Sequence, residues 1–195
     1  MWILLGLGNP GATYSETRHN LGLMLVDRLL RRARAALPPG GGACREVKVR
    51  LFGSELLLAV PTTFMNLSGS AAALLMRRHS IAPSDLLLAY DDLDLPLGQL
   101  RVRARGSDGG HKGVRSVLEA LGSEEVARIR MGIRPQAPIG DPAEFVLDRF
   151  AAPELTAVDA MLERAVDAVR MILREGLRQA MNVINTPLDR PAGDA

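Results

Sequence analysis

The chain has 195 residues, 47% hydrophobic and 24% charged, which suits one compact globular domain and excludes global disorder. Its 24 basic and 22 acidic residues leave a net charge of +2, too mild to identify a nucleic-acid partner, and no apolar run approaches the ~20 residues that span a bilayer. The start, Met1-Trp2-Ile3-Leu4-Leu5, lacks the basic region of a signal peptide, and Cys44 is the only cysteine, so a cytoplasmic protein without an intramolecular disulfide is expected. Residues 2–7 form a short apolar run ending near glycine, the pattern of a buried strand. Residues 22–35 carry Leu23, Val26, Leu29, Leu30 and Ala33 at helical spacing with arginines opposite, an amphipathic helix. The Pro38-Pro39-Gly40-Gly41-Gly42 cluster breaks the chain into a loop.

Residues 45–52 then alternate, with Val47, Val49 and Leu51 on one face, and pair with residues 55–60 as a hairpin. A polar loop over 61–68 leads to a helix over 69–78, and an apolar strand over 85–90 ends on Asp91. Residues 99–105 alternate again, with Leu100, Val102 and Ala104 expected inward and Arg101, Arg103 and Arg105 outward. A glycine-rich loop, a helix over 113–121, a strand over 127–133 and a long amphipathic helix over 153–176 follow, and residues 187–195 are expected to form a flexible tail. Strands alternating with helices give an α/β class, and the two alternating segments suggest antiparallel members. The expected architecture is a single domain over residues 1–186 with a twisted, mixed but mostly parallel sheet flanked by helices.

Four loops could carry chemistry. Gly6-Leu7-Gly8-Asn9-Pro10-Gly11 matches G-x-G-x-x-G, yet the polar, aperiodic residues 12–20 give no helix to hold a pyrophosphate, and no acidic residue ends the second strand. A turn that aims Asn9 and His19 into a cleft is the sharper reading. Of the three histidines, His79 closes a helix behind Arg77 and Arg78, whereas His19 and His111 stand in polar or glycine-rich loops ahead of helices. Asp91-Asp92-Leu93-Asp94 could hold Mg²⁺, make a turn, or orient a histidine. Without a second acidic cluster or a His-x-x-x-His pair the metal option is weakest, and Asp91 suits the third role.

In the loop over residues 61–69, Asn66 offers a side-chain amide, although Asn66 or Ser68 could equally cap the next helix. Gly-x-Ser-x-Gly is absent and Cys44 lies by a glycine-rich loop, so a covalent nucleophile is disfavoured. A histidine, an aspartate and two asparagines instead suggest general-base activation of water.

Taken together, these loops resemble the bacterial peptidyl-tRNA hydrolase family. The resemblance rests on Gly6-Leu7-Gly8-Asn9-Pro10-Gly11, Tyr14, Thr17-Arg18-His19-Asn20, the segment Pro61-Thr62-Thr63-Phe64-Met65-Asn66-Leu67-Ser68-Gly69, Asp91-Asp92-Leu93-Asp94-Leu95-Pro96 and Gly109-Gly110-His111-Lys112-Gly113. It implies a monomeric, cofactor-independent α/β enzyme that cleaves the ester joining a peptide to the 3′ end of tRNA. His19 matches the family's catalytic base and Asp91 the carboxylate that orients it. Asn9, Tyr14, Met65, Asn66 and His111 match residues of the substrate cleft, and Arg103 and Arg130 lie where the family meets tRNA phosphate. No metal is implied.

The chain departs from the family pattern at Lys112, where better-known bacterial members carry asparagine. A lysine offers only donors and a charge, so it is expected to strengthen attraction to nucleic acid as a further phosphate contact. The competing function is a non-catalytic RNA-binding relative that serves as an RNA-processing platform. Against it stands the full set Asn9, His19, Asn66 and Asp91, which a binding module does not need.

Overall fold

The computed structural model describes residues 1–39 and 41–186. The apolar run at the start forms β1 (Trp2–Gly6), whose alternate side chains face opposite layers: Leu4 joins one core, Ile3 and Leu5 the other. A 3₁₀ turn at Arg18–Asn20 runs into helix α1 (Leu21–Ala33), which stops where Arg34 takes a left-handed conformation at φ 52°. Strands β2 (Cys44–Leu51) and β3 (Ser54–Pro61) make the expected antiparallel hairpin. They are followed by α2 (Ser68–His79), β4 (Leu86–Pro96), β5 (Leu100–Arg103), α3 (Lys112–Leu121) and β6 (Ala127–Arg134). The one-turn α4 (Pro142–Phe145), the long α5 (Leu155–Glu175) and α6 (Leu177–Ile184) complete the described chain. The tail expected over 187–195 lies outside the described residues.

The six strands form one sheet in the order β2-β3-β1-β4-β6-β5. The four central strands are parallel, and the two segments whose sequences alternate, β2 and β5, are the antiparallel edges. Helices α1, α5 and α6 cover one face, packing on Leu4, Leu58, Leu87 and Ile129. Helices α2 and α3 cover the other, on Ile3, Leu57, Leu88 and Tyr90. This is a single α/β domain with a mixed, mostly parallel sheet.

Beyond shifts of one or two residues at element ends, β4, β5 and the chain after α5 differ from the sequence expectation. Strand β4 does not end at Tyr90 but continues to Pro96, because β6 goes on pairing with it, Asp91 opposite Met131 and Asp92 opposite Gly132, before a bulge. Asp91 therefore lies within a strand, fixed by ladder bonds on that side. Strand β5 ends at Arg103, so Ala104 is exposed rather than inward. Helix α6 has no counterpart in the sequence reading, since Gly176 at φ 89° breaks α5 and a second amphipathic stretch packs back on β5.

Helix α1 approaches the sheet through two glycines. A Cβ on Gly22 would lie 2.2 Å from the carbonyl oxygen of Ala89 and 2.4 Å from the nitrogen of Leu7, and one on Gly6 would lie 2.3 Å from the carbonyl oxygen of Gly22. This contact brings the turn that precedes α1 against the ends of β1 and β4.

Candidate active site

Where the parallel strands end, as ligand sites in open α/β sheets do, the loops open on a cleft of about 1250 Å³. Asn9, His19, Met65, Asn66, Asp91, Arg103, His111, Lys112 and Arg130 all line it. Tyr14 is outside that lining and packs edge-on against exposed Phe64, ring centroids 6.4 Å apart. His79 is also elsewhere, its Nε2 lying 3.2 Å from Glu46.

The loop after β1 is held by a residue whose role the sequence reading left unassigned. Asn20 accepts from the backbone nitrogen of Asn9 at 2.8 Å and donates back to its carbonyl at 3.0 Å, so two buried asparagines fix the turn. The side-chain oxygen of Asn9 accepts from the nitrogen of Met65 at 2.8 Å, leaving its amide nitrogen for the cleft. Asn66 does not cap α2: it is exposed beside Met65, and no hydrogen bond of its side chain is present among the described residues.

The turn that carries His19 is seated from the far end of the chain. The His19 nitrogen donates to the carbonyl of Val146 at 2.8 Å and the Arg18 nitrogen to Asp148 at 3.0 Å. The buried Arg18 side chain reaches the Arg149 carbonyl and the Glu154 carboxylate, both at 2.8 Å, and lies 4.2 Å over the Phe145 ring. Little in the local pattern of residues 142–154 announces this strap, because three of its contacts are main-chain carbonyls that any residue supplies and only Glu154 and Phe145 act through their side chains.

Asp91, only 2% exposed, sits between two imidazoles. His19 Nδ1 lies 3.0 Å from both of its oxygens, and His111 Nε2 lies 3.1 Å from Oδ1. Burial by itself would raise the Asp91 pKa, but His111 and His19 outweigh it and hold the carboxyl well below the usual carboxylate range. The tautomers follow from the partners. His111 is the N-cap of α3, its Nδ1 accepting from Gly113 and Val114 nitrogens at 3.1 and 3.2 Å, so the proton is on Nε2 and points at Asp91. His19 donates its Nδ1 proton to the same carboxylate, which leaves Nε2 as an open lone pair on the cleft. The Tyr90 ring packs at a tilt, its centroid 4.9 Å from that of His111, and burial pushes its phenol up against the opposing pull of Arg128 and Arg130.

His19, Asp91 and His111 are the one trio among the described residues whose donor atoms crowd as metal ligands would, within 4.8 Å. The donor chemistry does not fit a metal, because the His111 nitrogen nearest the others carries the proton and its lone pair belongs to α3. The acidic run divides as well: Asp91 serves the histidines, while Asp92 contacts Arg130 and Asp94 lies 3.9 Å from it.

The basic side of the cleft lies on β5 and β6, where Arg101 stands opposite Arg130 and Arg103 opposite Arg128. Like charges directly across a ladder repel unless something answers them. Arg130 has Asp92, and the buried Arg128, to which the sequence reading assigned no role, donates to the carbonyls of Ser107 and Val126. Arg105 pairs with Glu125 at 3.0 Å, whereas Arg103 and Lys112 have no carboxylate partner among the described residues.

Comparison with known proteins identifies the family. The sequence model of the peptidyl-tRNA hydrolase family matches residues 3–191. The chain is 42% identical over 192 residues to a peptidyl-tRNA hydrolase of Roseiflexus sp. (strain RS-1), covering 98% of this chain and 88% of that protein. It is 45% identical over 186 residues to one of Chloroflexus aurantiacus, covering 95% and 99%. A crystal structure of peptidyl-tRNA hydrolase from Acinetobacter baumannii superposes with a TM-score of 0.88 at 29% identity, covering 95% of both chains. With a family model that matches nearly the whole chain, relatives more than 40% identical over their length and the same fold, the chain belongs to the peptidyl-tRNA hydrolase family.

Proposed function

We propose that the protein hydrolyses the ester between a peptide, or an N-blocked amino acid, and the 3′ end of tRNA, releasing tRNA for reuse in translation, with water as the nucleophile. The observation that carries this reading is the open Nε2 of His19, backed by a buried carboxylate that fixes its tautomer. His19 takes a proton from water as it attacks the ester carbonyl, and Asp91 stabilises the imidazolium. The amides of Asn9 and Asn66 face the same cleft and supply donors for the developing oxyanion. The tetrahedral adduct then expels the ribose oxygen, which takes the proton back from His19, so no covalent enzyme intermediate forms. The cleft lining supports this, with no cysteine and a single serine, Ser107, that bonds to neither histidine. Cys44 is buried on β2, where burial pushes its thiol up.

Arg103, Arg130 and Lys112 serve tRNA phosphates, with Met65 and His111 shaping the substrate site and Tyr14 flanking it from outside the cleft lining, against Phe64. Among them Arg103 and Lys112 are the cations with no carboxylate to answer them. The domain works as a cytoplasmic monomer without a cofactor, and no described helix is long and apolar enough to cross a membrane.

The test is release of free tRNA from N-acetyl-aminoacyl-tRNA, with the unblocked aminoacyl-tRNA as control. His19→Ala is expected to abolish release while tRNA binding stays. Binding without release by the wild type would instead mark an RNA-binding platform. Separately, Arg103→Ala is expected to raise KM while kcat stays within about twofold, and to reduce the slope of log affinity against log salt by about 1. A slope equal to the wild type's would remove Arg103 from the phosphate contacts.

A further inference from the structure

Resting on that reading, we infer that His111 is a positioning residue of the reaction, acting through Asp91, and not only a wall of the substrate site. The basis is a line of three side chains from three elements: His19 in the turn before α1, Asp91 within β4, and His111 at the start of α3. His111 uses both ring nitrogens. Its Nδ1 accepts from two backbone N–H groups of α3, at 3.1 and 3.2 Å, and its Nε2–H donates to Asp91 Oδ1 at 3.1 Å.

The helix therefore decides which nitrogen of His111 carries the proton, and that choice makes His111 a donor to Asp91. A carboxylate with one oxygen anchored by His111 cannot swing away from His19, whose Nδ1 spans both oxygens at 3.0 Å. The rings of the two histidines are 4.9 Å apart and tilted by 46°, close enough to hold each other's plane. His111 thus does for Asp91 what Asp91 does for His19. It also shares the carboxylate's charge, which moderates the pull on the His19 proton.

Asparagine separates the two jobs. In His111→Asn a short side-chain oxygen still caps α3, since asparagine is a favoured N-cap, but nothing reaches Asp91. The expected result is a melting temperature close to the wild type's, a kcat lower by about tenfold, and KM within about twofold. The acid limb of the kcat/KM profile moves to higher pH, because an Asp91 relieved of its second donor holds the His19 proton more strongly. The other charged or titratable groups around the line are Tyr90 and Asp92 on β4, Arg128 and Arg130 on β6, Lys112 on α3, and Asp108, Arg18 and Asp141 in the loops. The substitution leaves all of them in place.

A variant with wild-type kcat and an unmoved acid limb, or with a loss confined to KM, would overturn the inference and leave His111 as a wall and a cap. Should the variant melt early, nitrogen NMR of the wild-type imidazoles decides by itself. The inference requires His111 to be protonated on Nε2 and bare on Nδ1, and the opposite tautomer overturns it. Absence of tRNA release by the wild type would instead refute the hydrolase reading, so the two failures are distinguishable.

Discussion

Asp91→Asn is expected to lower kcat by about 10³–10⁴-fold while leaving the fold intact, measured by tRNA release in single turnover. The size follows from hydrogen-bond supply. Asp91 faces two N–H donors, His19 Nδ1 and His111 Nε2, and answers both with carboxylate oxygens. An asparagine has one oxygen and one NH₂. His111 cannot reverse its tautomer without abandoning Gly113 and Val114, so it claims the oxygen. The NH₂ is then presented to His19, whose Nδ1 must become the acceptor and whose proton moves to Nε2. That consumes the lone pair with which His19 activates water in the proposed mechanism. The same variant should alter the response to acid. Because the Asp91 carboxyl is held below its ordinary range in the folded protein, its ionised form contributes stability that is full above about pH 4 and is lost as pH falls further. Asp91→Asn lacks that contribution, so its stability is expected to fall less steeply than the wild type's below pH 4. A kcat within tenfold of wild type would sink the tautomer argument.

Gly22→Ala is expected to destabilise the protein by about 3 kcal/mol or more, read as a lower urea midpoint with an unchanged slope. Helix propensity alone predicts the opposite, a gain of about 1 kcal/mol for alanine within a helix. The difference is the new methyl, which would lie 2.2 Å from the Ala89 carbonyl oxygen and 2.5 Å from that of Leu7, backbone atoms of β4 and of the residue that follows β1. Neither can yield without moving β1 or β4. Gly53→Ala is the control: at φ 82° with no atom within 4 Å, it carries only the strain of a left-handed residue, about 1–2 kcal/mol. Equal costs at the two positions would show that α1 yields to the added methyl.

The sequence made the class and most elements readable because periodicity records which face is buried. The alternation in residues 45–52 and 99–105 marked the two strands that turned out to be antiparallel edges. It could not show what stands across the ladder, so the arginines of β5 read as a solvated or phosphate-binding row. Their actual neighbours are the arginines of β6, which Asp92 and backbone carbonyls answer in turn. The same limit hid the end of β4. The acidic run from Asp91 to Asp94 marked the close of the strand, whether as turn, metal site or histidine partner, yet pairing with β6, a long-range event, carries the strand on to Pro96. His19 and Asp91 stood out as unusual residues in loop-like contexts. Asn20 did not, being one polar residue among many, although it clamps Asn9 from both sides.

The strap across the His19 turn ties biosynthesis to activity. Chains grow from the N-terminus, so His19, Asp91 and His111 all exist before residues 146–154 are made. Until then the turn lacks the Val146 and Asp148 carbonyls and the Glu154 carboxylate that hold it. On the proposed mechanism, activity is accordingly acquired late in synthesis, and a chain that stops short of those residues carries His19, Asp91 and His111 with no seat for the His19 turn.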